Sequence, residues 1–393
     1  MTTSSPIATS DRRTDHLPQL DALRGLAAAL VFAFHWYWCS FTGSASNRHL
    51  VLLAKLLAPL GYGDCGVPIF FVLSGFCIHM AFCRSVSPSP STLGEGRGEG
   101  RFRHTTFLHR RFWRIFPAYF LWLTIFALWH PGRPAPFAPA AILTHALMLH
   151  NFTLQYFLQI NSSFWSLAVE WQFYLAYPLF LLLRRRIGMP RTMFLAFALS
   201  AAYCLALTVA GDSSPILVRS VLASYAQWTL GALLAERFAA GKPILLPPRI
   251  TLLIAIPAAL LLTARQDQWA SLAWSLSAAS IIDWWIRQDS FMPPRLLVWF
   301  GTISYSFYLI HEPIVEWMTA LLGRPDVPHI ALIFAASLAV TLVAAWATYR
   351  LIELPGIAMG RRPRPRADRT YAAPSKAAAK MSAFLHYFAS DKI

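Results

Sequence analysis

Of 393 residues, 56% are hydrophobic and only 13% charged, with 28 Phe and 15 Trp, where a soluble domain carries about a quarter charged residues. Apolar stretches of about 20 residues follow one another, each long enough to cross roughly 30 Å of hydrocarbon, which excludes an ordinary soluble fold. The net charge of +16 comes from short Lys and Arg clusters between those stretches and not from one continuous basic face. Membrane lipids, and not nucleic acid, are the expected partners.

Taken in chain order, the apolar runs predict ten spans at 20–41, 65–83, 107–129, 165–183, 191–210, 216–237, 249–264, 269–286, 297–320 and 329–351. With the N-terminus inside, 27 of the 34 Lys and Arg fall on cytoplasmic segments. Six (Arg48, Lys55, Arg133, Arg219, Arg265 and Arg324) fall outside, and Arg24 lies within the first span. That asymmetry predicts an all-α, polytopic helical bundle of about ten transmembrane helices with both termini cytoplasmic, as in a multi-pass protein of a bacterial inner membrane. The division of the chain is then an N-terminal cytoplasmic segment at 1–19, a transmembrane domain at 20–355 and a basic, unstructured tail at 356–393. Residues 85–100 are a low-complexity insert of Ser, Pro, Gly and Glu. An interfacial helix is expected around 141–152 in the long outer loop. The five cysteines, Cys39, Cys65, Cys77, Cys83 and Cys204, have no metal-ligand spacing and read as small buried hydrophobes, so no metal is expected.

Titratable groups inside spans are costly and each one needs a reason. Arg24 and His35 are 11 residues apart, which places them on one helix face about 16 Å apart along the axis. Asp21 lies one turn below Arg24, in position to pair with it. The resulting stripe offers a cation for an anionic phosphate group at one end and an imidazole for proton transfer or nucleophilic work at the other. Taken singly, Arg24 also reads as a snorkelling boundary residue and His35 as a packing residue. Arg111 and Arg114 are i,i+3 neighbours at the level of Arg24, suited to phosphates, though inside-positive arginines need no function. Glu170, about one and a half turns into the fourth span, requires a His or Arg partner or a polar cavity, and pairing with His35 would orient that imidazole. Ser74 with Gly75 favours close helix approach. Tyr305 lies in the ninth span, and His311 outward of its middle, at the level of His35. Ile352-Glu353-Leu354-Pro355 reads as a helix stop.

Several of these stretches resemble the integral-membrane acyltransferases of the acyltransferase 3 family. The likeness rests on Leu20-Asp21-Ala22-Leu23-Arg24-Gly25 with His35, on Phe70-Phe71-Val72-Leu73-Ser74-Gly75-Phe76, and on Arg111 to Arg114. It continues through Trp165-Ser166-Leu167-Ala168-Val169-Glu170 with Phe173-Tyr174, Ser304-Tyr305 with Tyr308-Leu309 and His311-Glu312-Pro313, and Glu353 with Pro355. The order of six motifs along residues 17–355 is more specific than any one of them. The resemblance implies O-acylation of a glycan such as lipopolysaccharide, exopolysaccharide or a glucan, or of a lipid-linked saccharide, with acyl-CoA, by default acetyl-CoA, as co-substrate and no resident cofactor. It implies an essential histidine at His35 and donor-binding arginines at Arg24, Arg111 and Arg114; the residue pattern adds Glu170 as the support of His35, and Asp21, Ser74, Tyr305 and His311 as supporting residues. Some members add an extracellular hydrolase-like domain, which is not expected here. Trp171-Gln172 departs from the family's frequent second carboxylate. The competing class is a transporter or flippase of a glycan or lipid intermediate, whose intramembrane charges would line a path.

Overall fold

A computed structural model describes residues 17–42, 48–86, 102–129, 136–243, 247–263, 267–288, 290–323 and 327–361. The segment before residue 17, most of the 85–100 insert and the tail beyond Arg361 lie outside them. The described chain is helical, with no strand. A helix stands on each of the ten apolar runs: α1 (Pro18–Phe41), α3 (Gly66–Val86), α4 (His104–Leu128), α6 (Phe164–Ile187), α7 (Met189–Ala210), α9 (Val221–Ala239), α10 (Pro248–Thr263), α11 (Asp267–Ile286), α12 (Arg295–Leu322) and α13 (Val327–Thr348). Shorter pieces are α2 (Arg48–Leu56), α5 (Pro139–Ala146), α8 (Pro215–Val218) and α14 (Leu354–Arg361).

Four stretches among the described residues are long and apolar enough to cross a membrane by length and composition: Ala58–Ser85, Phe164–Ile187, Met189–Ala210 and Pro328–Arg361. The helices α1, α4 and α12 fall short of that measure because they carry the polar groups. These are Asp21, Arg24 and His35 on α1, the Arg110–Arg114 cluster on α4, and His311, Glu312 and Glu316 on α12.

The bundle is organised by close helix pairs: α1 lies along α12, α3 along α9, and α10 along α11. Small residues set the α3–α9 approach. A Cβ on Gly75 would overlap the Trp228 carbonyl oxygen, and one on Gly231 would overlap that of Val72, so the two backbones meet where neither carries a side chain. Substituting Gly231 by valine is therefore expected to lower the thermal midpoint of the detergent-solubilised protein, with a cost of about 1–3 kcal/mol from overpacking. An unchanged midpoint would contradict the contact. Around this crossing sit Phe173, Tyr177, Phe180 and Trp228, each fully buried.

Two local expectations need correction. Leu354-Pro355 does not stop the helix. The chain widens into a π turn at Tyr349–Glu353 and continues as α14, which accommodates a proline early in the new helix, where its missing N–H costs little. In the 141–152 region the helix is shorter than expected: α5 ends at Ala146, Met148 takes φ 56°, and a single 3-10 turn follows at His150–Phe152. There the buried rings of His145 and His150 stack 4.0 Å apart. Burial holds both imidazoles below the ordinary histidine value, and for His150 the neighbouring His145 adds to the effect.

Candidate active site

Two cavities lie along α1, one beside each end of its polar stripe. The first, about 510 Å3, is lined by Arg24, Arg84, Arg111, Arg114, Glu170 and Arg361, among others. Arg24 donates to Asp21 Oδ1 at 2.5 Å and to Cys77 Sγ at 2.9 Å, so the expected Asp21–Arg24 pair is present and Cys77 serves as a polar acceptor and not only as filler. The Arg111 guanidinium stands over the Phe107 and Tyr174 rings at 5.5 and 5.6 Å. Planar packing of this kind leaves the in-plane N–H donors of a guanidinium available to anions. Arg84 and Arg361 enter the same cavity, Arg361 because α14 continues past Pro355. The sequence had assigned that arginine to a structureless tail.

Among the supporting residues, Tyr305 donates to the Ile115 carbonyl at 2.7 Å, tying α12 to α4. Ser74 Oγ lies 3.5 Å from the Tyr174 hydroxyl. The expected pairing of Glu170 with His35 is not found. Tyr174, one turn on, donates to Glu170 Oε1 at 2.5 Å, and Glu170 faces the arginines. The reason is register: His35 stands at the level of Ser163, the N-cap of α6, whereas Glu170 is nearly two turns further along that helix, about 10 Å in rise.

The second cavity, about 320 Å3, is lined by His35, Ser162, Ser163, Trp165, Arg219 and Glu312 with other side chains. His35 is partnered here by Glu312, with Nδ1 3.4 Å from Oε1, and its Nε2 lies 3.4 Å from Ser163 Oγ. A proton held on Nδ1 toward the carboxylate leaves Nε2 as the free base. Glu312 itself is fixed from several sides. It accepts from the Ser163 backbone N–H at 2.7 Å, from Ser163 Oγ at 2.5 Å and from the Ser162 hydroxyl. The carboxylate thus sits at the N-terminus of the 24-residue α6, where the helix dipole favours an anion.

The turn that presents these serines is locked to α12. Pro313 has no N–H for the Leu309 carbonyl one turn back, and that carbonyl accepts instead from Asn161 Nδ2 at 2.9 Å. Asn161 Oδ1 in turn accepts from the Ser163 N–H at 2.9 Å. Ile160 takes φ 66° to enter the turn, a conformation a β-branched residue adopts only where its surroundings impose it. His311 is at the level of His35, with ring centroids 5.1 Å apart, and its Nδ1 donates to the Tyr308 carbonyl at 2.7 Å. Val67, Phe71 and Tyr308 line both cavities. The Tyr308 hydroxyl is 2.7 Å from Ser166 Oγ and donates to the Ser163 carbonyl at 3.3 Å.

Sequence reasoning missed Glu312, Ser162, Ser163, Tyr308 and Arg219. Glu312 carried a usable signal, being a carboxylate within a span beside the residue that was chosen, His311. The serines carried none, since a loop adjoining a span is free to be polar.

The described residues thus form an all-helical bundle with a part-buried His35–Glu312 pair at one cavity and clustered arginines at another. The acyltransferase 3 family, described as an acyltransferase domain, matches residues 17–350, and the chain belongs to it. Acyltransferase MdmB of Streptomyces mycarofaciens is 24% identical over 90% of this chain and 95% of its own length. The putative peptidoglycan O-acetyltransferase YrhL of Bacillus subtilis is 26% identical over 86% of the chain and 55% of its own length. The peptidoglycan O-acetyltransferase OatA of Listeria monocytogenes is 25% identical over 86% and 56%, respectively. The chain thus spans nearly all of the first relative and little more than half of the other two. No solved structure matches.

Proposed function

We propose that this protein is a multi-pass O-acyltransferase of the bacterial inner membrane, with ten spans and both termini cytoplasmic. It transfers an acyl group, acetyl by default, from acyl-CoA to a sugar hydroxyl of a cell-surface or exported glycan. The observation that carries the reading is the common wall of Val67, Phe71 and Tyr308 between an arginine-lined cavity and a cavity holding the His35–Glu312 pair. A phosphate-rich donor suits the first cavity and a hydroxyl acceptor the second, with the thioester at the shared wall.

In this reading His35 Nε2 takes the proton from the acceptor hydroxyl as its oxygen attacks the thioester carbonyl. The C–O bond forms, the C–S bond breaks, and the departing thiolate recovers the proton from the imidazolium, which Glu312 stabilises meanwhile. Glu170 and Tyr174 then belong to the donor side. The test is incorporation of labelled acetyl from acetyl-CoA into the glycans of membranes containing the protein. Label that appears only with acetyl-CoA and only with intact His35 supports the reading, and absence of label in both forms returns the chain to the transport class.

A further inference from the structure

The proton-transfer chemistry leaves part of the histidine cavity unused. Arg219, in the turn after α8, lines the cavity and stands over the Trp165 ring at 5.5 Å. It forms no salt bridge among the described residues, although the cavity contains a carboxylate: Glu312 is engaged by Ser162, Ser163 and His35. A ring contact satisfies none of the guanidinium N–H donors. On α9, Gln227 is 2% exposed and lines the same cavity, and its Oε1 has no hydrogen-bond partner. A buried acceptor left without a donor is destabilising, a penalty that a hydroxyl-bearing ligand removes. Trp38, 51% exposed, contributes an aromatic surface to the cavity, and Asp64 lines it as well.

We infer that this cavity selects an acceptor sugar bearing an anionic group, a carboxylate or a phosphate, near the hydroxyl that receives the acyl group. Arg219 binds the anion through its N–H fork, Gln227 Oε1 accepts from a neighbouring hydroxyl, and the indoles of Trp165 and Trp38 cover the sugar's apolar face. Asp64 and Glu312 repel an anion from the rest of the cavity, so the charge is directed to Arg219 and fixes which hydroxyl comes to His35. This inference rests on the transfer reading for the identity of the cavity as the acceptor side.

The test is equilibrium binding by the full chain, purified in detergent and without any thioester, of three labelled tetrasaccharides of one length: neutral, uronate-bearing and phosphate-bearing. At least one acidic form is expected to bind about tenfold or more tighter than the neutral one, and the stronger of the two identifies the anion. Arg219→Gln erases the preference, Arg219→Lys keeps part of it, and Gln227→Leu weakens all three alike. Equal binding of the three, no binding of any, or an acidic preference that survives in a folded Arg219→Gln protein overturns the inference. Because no donor is present, these outcomes are independent of His35-dependent acetyl incorporation, whose failure would overturn the transfer reading instead.

Discussion

Replacing His35 by alanine is expected to reduce acyl transfer by about 10²–10⁴-fold, the usual contribution of a positioned general base, with the protein still inserted and folded. Glu312→Gln is expected to follow it. The amide keeps the shape, and its oxygen can still accept from the Ser163 backbone N–H and hydroxyl that hold Glu312 Oε2, but it carries no charge to stabilise an imidazolium at His35. It also admits the wrong tautomer, because an amide N–H turned toward Nδ1 asks that nitrogen to accept. Initial rates of label incorporation at saturating donor should therefore fall for Glu312→Gln chiefly in kcat. Glu170→Gln should change kcat less, since Glu170 is bonded to Tyr174 on the arginine side. If Glu170→Gln abolished turnover while Glu312→Gln spared it, the assignment of the pair would be wrong.

The contrast between these two carboxylates shows where sequence reasoning reached its limit. The cost of charge in hydrocarbon singles out Glu170 and Glu312 equally, and what separates them is the relative height of three helices. The axial rise within α1 is readable from residue spacing, which is why the Arg24–His35 stripe and the Asp21–Arg24 pair were legible. The offset between α1 and α6 is set by packing and by the Ile160–Ser163 turn, whose anchor is the carbonyl that Pro313 leaves free, and no periodicity encodes it. Ten helices were visible as apolar runs. The continuation through Leu354-Pro355 was not, because a local rule about proline gave way to a π turn, and with it Arg361 reached the arginine cavity.

On the donor side, Arg111→Gln and Arg114→Gln are each expected to raise KM for acetyl-CoA by about tenfold or more, with the double variant worse than either. Loss of affinity alone would not distinguish a phosphate contact from disturbed packing, since Arg111 also covers the Phe107 and Tyr174 rings. Acetyl-pantetheine, which has the thioester arm but no phosphates, separates the two. If the arginines bind phosphate, the wild-type protein prefers acetyl-CoA strongly, and the variants lose that preference while their rate with acetyl-pantetheine stays near wild type. If they only pack, both donors suffer alike. Arg24 calls for a different design, because removing it alone leaves the part-buried Asp21 without its close guanidinium partner. Asp21→Asn with Arg24→Gln removes both charges together. The same loss of donor discrimination in that double variant would place Arg24 among the phosphate-binding groups, and a loss of folded protein without it would assign the Asp21–Arg24 pair to the architecture of the bundle.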